Sequence, residues 1–320
     1  MKFSKMTTLM MAAGLSAVVA LAGCGGSGGA KQQYLNIGTG GTAGTYYPLG
    51  GAMAELFNKN IANVNASAQS TGASVANVNM LKDGSLDLAL IQNDIAYYAA
   101  NGLEMFDGKK VDSLRGIATL YPETVQIIAL EKSGIKSIND LRGKRVAVGA
   151  AGSGTEANAR QILNAAGIEY SDIQVQYLSF GEAAGALKDG NVDVAFVTAG
   201  FPTAAIQDLA VSNQISLISL DAAVADQLLQ KYPYYTKTSI PAGTYNGVAG
   251  DTLAVSVRAM IATTSKLSDE MGYNVTKAIY TNLDKMAAAH AVGKMITKDA
   301  AQDGMSIPMN AGAEKFFKEK

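Results

Sequence analysis

The sequence predicts an α/β fold built from two similar lobes, and three observations support this. Residues 81–90 and 187–196 are identical at six of ten positions and conservatively changed at three more. Each copy follows a glycine-rich loop at a similar interval, one beginning at Gly38 and the other at Gly149. The repeated unit is therefore a strand, a glycine loop, a helix, a strand, a helix and a strand. A chain of 320 residues is also longer than one core comfortably supports.

The N-terminal segment has the features of an export signal. Two lysines precede an apolar run that ends in L-A-G-C, the order of a secretory signal peptide over residues 1–23. The L-A-G-C sequence resembles the bacterial lipobox, in which the cysteine becomes the lipid-modified first residue of the mature protein. An ordinary buried thiol is the alternative for Cys24. Residues 24–33 then comprise a lipidated Cys24 and a flexible tether, so we expect an exported protein anchored at the extracytoplasmic face of a bacterial membrane, in the periplasm or at the cell surface.

Composition excludes several classes of function. Removing residues 1–23 takes away two lysines and no acid, which leaves a net charge of about −3 and no basic field for nucleic acid. Cys24 is the sole cysteine and His290 the sole histidine, so no disulfide and no zinc site are expected. His290 lies in an alanine-rich helical run, where a surface or helix-packing role is the plain interpretation. The sequence indicates neither a metal nor a cofactor.

The two glycine loops are the strongest functional signal. Residues 37–51 and 148–155 each lead from a strand into a helical segment, which gathers backbone amides at a helix N-terminus and favours an anion. Nucleotide and nucleophile motifs fit poorly. The G-x-G-x-x-A pattern at residues 38–43 lacks an acid about twenty residues on, and Thr155 stands where a phosphate-binding loop needs lysine. Ser153 lacks the flanking glycines of a nucleophile elbow.

Further candidates lie near these loops. Short loops at residues 70–74 and 179–182 also precede helices, and ligands sit beyond the carboxyl ends of strands in open α/β sheets. Asp94 either caps a helix or directs a carboxylate at a ligand amino group. Tyr46 either packs in the first helical turn or closes over the ligand. A solvated helix face is favoured over an inward position for Arg160.

The order of these segments predicts the domain organisation. The first lobe is expected to cover residues 34–118 and the second residues 119–222. Residues 223–320 would cross back and complete the first lobe. Two crossings between lobes form a hinge, which is the arrangement of closing binding proteins.

Five ordered motifs resemble one known family. They are I-G-T-G-G-T-A-G-T-Y-Y-P-L-G-G from Ile37, L-Y-P-E from Leu120, V-G-A-A-G-S-G-T-E from Val148, A-G-F-P-T from Ala199 and I-P-A-G-T-Y from Ile240. Together they closely resemble the TAXI-type solute receptors of tripartite ATP-independent periplasmic (TRAP) transporters. The match covers nearly the whole mature chain. Where that family frequently has a His-Pro pair near the C-terminus, this sequence has His290-Ala291. We expect the difference to affect side-chain packing more than ligand binding.

The resemblance implies a type II periplasmic-binding-protein fold, with two α/β lobes, a hinge and a ligand cleft between them. It implies a monomeric receptor, not an enzyme, that captures a small organic anion or amino acid, glutamate-like or another small carboxylate. The receptor would deliver this ligand to a TRAP permease driven by an ion gradient. The ligand-binding residues it implies are Gly40, Gly41, Thr42, Tyr46, Gln92, Asn93, Ser153, Gly154, Thr155, Ala199 and Phe201.

Two other functions remain open at this stage. A ligand-sensing adaptor for a membrane signalling protein needs the same two-lobed form, so the residues do not separate it from a transport receptor. An enzyme of the same fold, acting on a small carboxylate, would have few catalytic groups. Neither glycine loop carries a cysteine, a histidine or a carboxylate pair, so acid-base chemistry would rest on Asp94 or Glu156 alone.

Overall fold

A continuous mixed β-sheet runs through the computed structural model, which describes residues 32–319. The expected signal peptide, Cys24 and most of the tether lie outside these residues. The strands are β1 (Gln33–Gly38), β2 (Val64–Gln69), β3 (Leu88–Gln92), β4 (Leu114–Leu130), β5 (Arg145–Ala147), β6 (Gln174–Gln176), β7 (Val194–Ala199), β8 (Ile215–Leu217), β9 (Thr236–Ile240) and β10 (Thr252–Thr264). The sheet order is β2-β1-β3-β10-β4-β7-β5-β6, with β9 paired to β10 and β8 paired to β4.

Helices cover the sheet. They are α1 (Tyr46–Asn60), α2 (Ser74–Asp83), α3 (Asn93–Asn101), α4 (Gly154–Ala165), α5 (Phe180–Lys188), α6 (Ala204–Ser212), α7 (Ala222–Lys231), α8 (Asp269–Tyr280), α9 (Leu283–Ala289) and α10 (Ala311–Lys318). Within residues 32–319, no helix is long and apolar enough to cross a membrane.

Two long strands belong to both halves of the sheet. We call β1 to β3 with their helices the first half, and β5 to β8 with theirs the second half. The 17-residue β4 pairs with β10 in its first part and with β7 from Thr124 to Ala129. The 13-residue β10 pairs with β9 from Thr252 to Ser256 and with β3 from Ala259 to Ala262. The antiparallel β4–β10 pair therefore joins the halves, and we call these the crossing strands.

The repeated sequence forms the same structure twice. In each half a glycine in the left-handed region follows the helix, Gly84 (φ 88°) directly after α2 and Gly190 (φ 73°) one residue beyond the Asp189 cap of α5, and this region favours glycine because it has no Cβ. An aspartate three residues later then binds the first strand of its own half. Asp87 accepts a hydrogen bond from the amide of Asn36 (2.8 Å), and Asp193 accepts one from the amide of Arg145 (2.9 Å). The motif thus fixes the helix end and the strand register together.

The C-terminal helices pack into the first half. Leu49, Met53 and Phe57 of α1 share one apolar cluster with residues of α8, α9 and α10. Helix α7 instead packs in the second half, where Val224 and Leu228 join the buried cluster under α4. The chain therefore crosses back to the first half only after α7, through β10.

Replacing either repeated aspartate with alanine should destabilise the protein. Asp87→Ala and Asp193→Ala each leave a strand amide without its carboxylate acceptor, a loss of about 1 to 3 kcal/mol in the free energy of unfolding. Urea denaturation measures this loss. Asp189→Ala, at an exposed position of the same motif, serves as the control and should change stability by less than about 0.5 kcal/mol. Equal effects in all three variants would contradict this role of the motif.

Candidate functional site

A cavity of about 60 Å³ lies where the glycine loops of the two halves meet. The first half contributes the loops before α1 and α2 and the end of β3. The second half contributes the loops before α4 and α5 and the end of β7, and β4 adds Glu123. Four helices, α1, α2, α4 and α5, therefore begin at this cavity, and the first amides of a helix have no partner within the helix itself. The space suits roughly four to six water molecules, so a small solute fits.

Side chains hold the first-half loops in place. Asn77, fully buried, donates to the backbone oxygens of Thr39 (2.7 Å) and Leu90 (2.8 Å). The Ser70 hydroxyl donates to the backbone oxygen of Gly40 (2.9 Å). The loop before α1 is therefore fastened to its neighbours on both sides, which orients its amides before any ligand arrives.

The second-half loop depends on one glycine and one cap. Gly149 has φ 103°, and a Cβ there would lie 2.8 Å from the Thr155 Cβ, so this turn requires glycine. Ser153 caps α4, since its hydroxyl oxygen accepts from the amide of Glu156 (3.1 Å). This bond uses the oxygen of Ser153 as an acceptor and leaves its O–H free to donate.

Backbone contacts bring the halves together over the cavity. The Gly152 carbonyl accepts hydrogen bonds from the amides of Val75 (3.1 Å) and Ala76 (3.0 Å) at the start of α2. The amide of Ala205 donates to the carbonyl of Ala43 (3.3 Å). The first amides of α2 are thus used to hold the second half, which leaves the loops before α1, α4 and α5 as the freer amide donors.

One carboxyl group lies in the cavity wall. Glu123 is 2 % exposed, and its Oε2 accepts a hydrogen bond of 2.6 Å from the Tyr46 hydroxyl. Burial raises the pKa of Glu123 well above its usual range. The hydroxyl of Thr198, also in the wall, is buried without a hydrogen-bond partner among the described residues. Across residues 32–319, no lysine, arginine or histidine lines the cavity.

A buried polar network links the halves behind the cavity. Asn158 of α4 donates to Asp94 Oδ2 (2.9 Å) and to the Tyr235 hydroxyl (2.8 Å), and accepts from Gln92 Nε2 (2.6 Å). Burial raises the pKa of Asp94 to about 6, against the opposing effects of the Ile95 amide and Asn158. Of the two roles open for Asp94, it neither occupies the N-cap of α3, which is Gln92, nor lines the cavity. Its carboxyl instead joins α3 to α4.

Eight of the eleven ligand-binding residues implied by the resemblance lie in the cavity wall. They are Gly40, Gly41, Tyr46, Gln92, Ser153, Gly154, Thr155 and Ala199. Three lie elsewhere. Thr42 is exposed, and Phe201 packs against an apolar cluster of the second half. Asn93 is bonded to the C-terminal segment, with its Nδ2 donating to the Gly304 carbonyl (3.0 Å).

Two polar wall residues outside the loops, Glu123 and Thr198, were not among the predicted ligand-binding residues. Glu123 lies in the L-Y-P-E motif, and Thr198 near the end of the otherwise apolar β7. An acid within a strand of mostly buried residues was the available signal for Glu123, because a buried carboxyl is costly unless it has a partner or a function.

Two other candidates have structural roles. Arg160 pairs with Glu104 (3.3 Å) and Glu156 (3.4 Å) on a partly exposed face. His290 is half-buried, and its Nδ1 accepts from the amide of Val292 (3.3 Å), which caps a short helical turn. Among the residues that the structure describes, no cluster of potential metal ligands occurs.

Comparison with known proteins identifies the family. Residues 37–320 match the model of the NMT1-like family. The chain belongs to the NMT1-like family. Over 78 residues the NMT1-like protein is 36% identical to a protein of Escherichia coli (strain K12) whose name describes it, provisionally, as an aliphatic sulfonates-binding protein. That match spans only about a quarter of each chain, 24% of this one and 24% of the relative.

Solved structures of binding proteins share its fold. The alkanesulfonate-binding protein SsuA from Xanthomonas axonopodis pv. citri, bound to MOPS, aligns with a TM-score of 0.51 at 17% identity, covering 90% of this chain and 84% of that one. PhnD1 from Prochlorococcus marinus (MIT 9301), in complex with methylphosphonate, aligns with a TM-score of 0.53 at 12% identity, covering 89% and 94%. The NMT1-like protein therefore has a mixed α/β periplasmic-binding-protein fold, and the predicted fold class is confirmed.

Adding a methyl group at Gly154 should disturb the contact between the halves. A Cβ there would overlap the side-chain oxygen of Gln92, which Asn158 holds in place. Gly154→Ala should therefore lower the free energy of unfolding by about 1 to 3 kcal/mol. Gly40→Ala is the matched control, since its Cβ would lie 3.4 Å from Ala73 at ordinary contact distance. Calorimetry compares them, and recovery of stability in Gly154→Ala/Gln92→Ala would identify the clash. Equal stability of the two single variants would refute it.

Protonation of Asp94 should make stability depend on pH. Its pKa is about 6 in the folded protein against an ordinary 3.8, so the folded state binds the extra proton. The resulting stability is fully present below about pH 4 and is lost as pH rises through about 6. In Asp94→Asn, the decline in the free energy of unfolding over this window should be smaller by about 2 to 3 kcal/mol. Urea denaturation across pH 4 to 8 measures this, and parallel curves for the two proteins would contradict it.

Proposed function

We propose that this NMT1-like protein is an extracytoplasmic receptor that captures a small organic anion or amino acid and delivers it to a membrane transporter. The observation that carries the proposal is the meeting of glycine loops from both halves over one small cavity. Receptors of this fold bind by closing two halves on a ligand. The name of the E. coli relative and the ligand in the PhnD1 structure, methylphosphonate, also point to small molecules with oxyanion groups.

The energetics of the cavity support binding of an oxyanion. Hydrogen bonds to a charged group contribute roughly 1.5 to 3 kcal/mol each, and a helix N-terminus contributes up to about 2 kcal/mol. Four or five such contacts outweigh the cost of immobilising a small ligand. Amides from the loops before α1, α4 and α5 and the hydroxyl of Thr155 provide them. Carboxylates, sulfonates and phosphonates share this chemistry, and the TAXI-type resemblance favours a small carboxylate such as glutamate.

The proposed transporter is a TRAP permease driven by an ion gradient. The five motifs shared with TAXI-type receptors support this choice. The same receptor could instead signal through a membrane protein, and copurification from membranes distinguishes a permease from a signalling partner. An enzyme of this fold is a weaker candidate, because Asp94 lies behind the cavity and Glu123 is the single carboxyl among the described wall residues.

Ligand binding should stabilise the protein and close it further. In a thermal-shift panel of L-glutamate, L-glutamine, succinate, ethanesulfonate and methylphosphonate, a true ligand at a hundredfold excess over its Kd adds about 2.7 kcal/mol of stability. Small-angle scattering with the ligand should show a smaller radius of gyration than without it. Failure of every such anion and amino acid to shift the melting temperature would reject the proposal.

The lipid anchor is the second part of the proposed function. We expect Cys24 to carry the lipid and the tether to hold the body away from the membrane. Cys24→Ser should release a soluble, folded protein, and metabolic labelling with a fatty acid should mark the wild type alone. Ser27→Ala, in the same tether, is the control and should remain labelled. Lipid retained on the Cys24→Ser chain would show that another residue carries it.

A further inference from the structure

Glu123 has an unusual position for a cavity proposed to hold an anion. It is the single acid in the described part of the wall, and one of its oxygens is occupied by the Tyr46 hydroxyl at 2.6 Å. The Tyr121 hydroxyl also lies close to this carboxyl, but it has no hydrogen-bond partner among the described residues. The second oxygen is therefore available to a molecule in the cavity.

Burial is the main factor that disfavours a negative charge on Glu123, and it outweighs the interactions with the Tyr46 and Tyr121 hydroxyls, which lower the pKa of this carboxyl. Tyr46 of α1 and Tyr121 of the same strand are neutral hydroxyls whose own pKa values are raised by burial and by Glu123. Asp94 of α3 adds a like charge when ionised, which raises the pKa of Glu123 further. Arg258 of the adjacent β10 lies beside Gly304. Its charge lowers the pKa of Tyr280, and it is not among the groups that shift the pKa of Glu123. No described cation thus compensates an ionised Glu123.

An ionised Glu123 would also repel the ligand. The cavity measures about 60 Å³, so an oxyanion inside it lies within a few ångströms of this carboxyl. Two like charges that close in a buried site repel each other strongly, because little solvent lies between them to screen the interaction. A protonated carboxyl, by contrast, is a strong hydrogen-bond donor to an anion.

We propose that Glu123 recognises the bound anion as a neutral carboxylic acid, donating a hydrogen bond from its second oxygen, so that the anion is held together with one proton. This inference rests on the proposed function, because it names how the same cavity discriminates among ligands. When the pH is below the pKa that Glu123 has in the ligand-free protein, the proton is already present. At higher pH, binding of the anion takes up one proton from solvent. The Thr198 hydroxyl, buried and without a partner in the described structure, is a second donor to the same anion.

The pH dependence of binding follows. Affinity for an anion is constant while Glu123 is protonated in the free protein, and falls about tenfold per pH unit above that pKa. For a ligand that places an ammonium group against the same carboxyl, the affinity should instead rise with pH, because such a ligand needs Glu123 ionised. A neutral Glu123 therefore selects simple anions over amines.

Titration calorimetry of the full protein with succinate and ethanesulfonate, between about pH 6 and pH 9 where both probes stay ionised, tests the inference. Glu123→Gln keeps a donor and cannot ionise. It should bind within about threefold of the wild type near pH 6 and lose any decline that the wild type shows at higher pH. Glu156→Gln, on α4 outside the wall, and Asp94→Asn should both keep any such decline.

The outcomes separate this inference from the proposed function. If the wild-type protein binds neither these probes nor the amino acids at any pH, the proposed receptor function is rejected. Wild type that binds while Glu123→Gln loses more than about tenfold in affinity, or a decline with pH that persists unchanged in Glu123→Gln, overturns the role of neutral Glu123 and leaves the receptor intact. Infrared spectroscopy adds a readout independent of ligand. A protonated-carboxyl band near neutral pH that disappears in Glu123→Gln supports the inference, and its absence from the wild type overturns it.

Discussion

The antiparallel pairing of the crossing strands is the constraint on which the rest of the structure depends. Because β4 and β10 each serve both halves, the sheet is not interrupted between them, and the loops at the strand ends face each other. The same arrangement places Glu123 at the middle of β4, between a pairing partner on β10 and the loop that begins α1. The strand β4 therefore contacts both halves, the first through Glu123 and the second through its pairing with β7.

Much of the fold was predictable because it is written in local sequence. Gly84 and Gly190 follow helices in a backbone region that few other residues adopt, and the following aspartates bind the first strand of each half. Patterns of that kind act over a few residues or recur along the chain. The side on which α7 packs depends on which core accepts Val224 and Leu228, and nothing local specifies that choice.

The candidate site was predictable in part for the same reason. Glycine loops are recognisable in a sequence by their composition, so Gly40, Gly154 and their neighbours could be predicted. Glu123 and Thr198 enter the wall only through strand pairing and the approach of the halves, which sequence spacing does not encode. Asn93 shows the opposite case. It follows the end of β3, as a ligand-binding residue would, but its side chain donates to the carbonyl of Gly304 in the C-terminal segment.

The carbonyl of Gly152 accepts the first amides of α2, and this contact has a cost for a receptor of the proposed kind. Those hydrogen bonds join the halves without involving any ligand atom, so they favour a compact state independently of the contacts that a ligand adds. An empty molecule in that state would occupy the transporter without cargo and slow uptake when solute is scarce. The strength of one backbone contact thus sets a balance between rapid capture and unproductive docking.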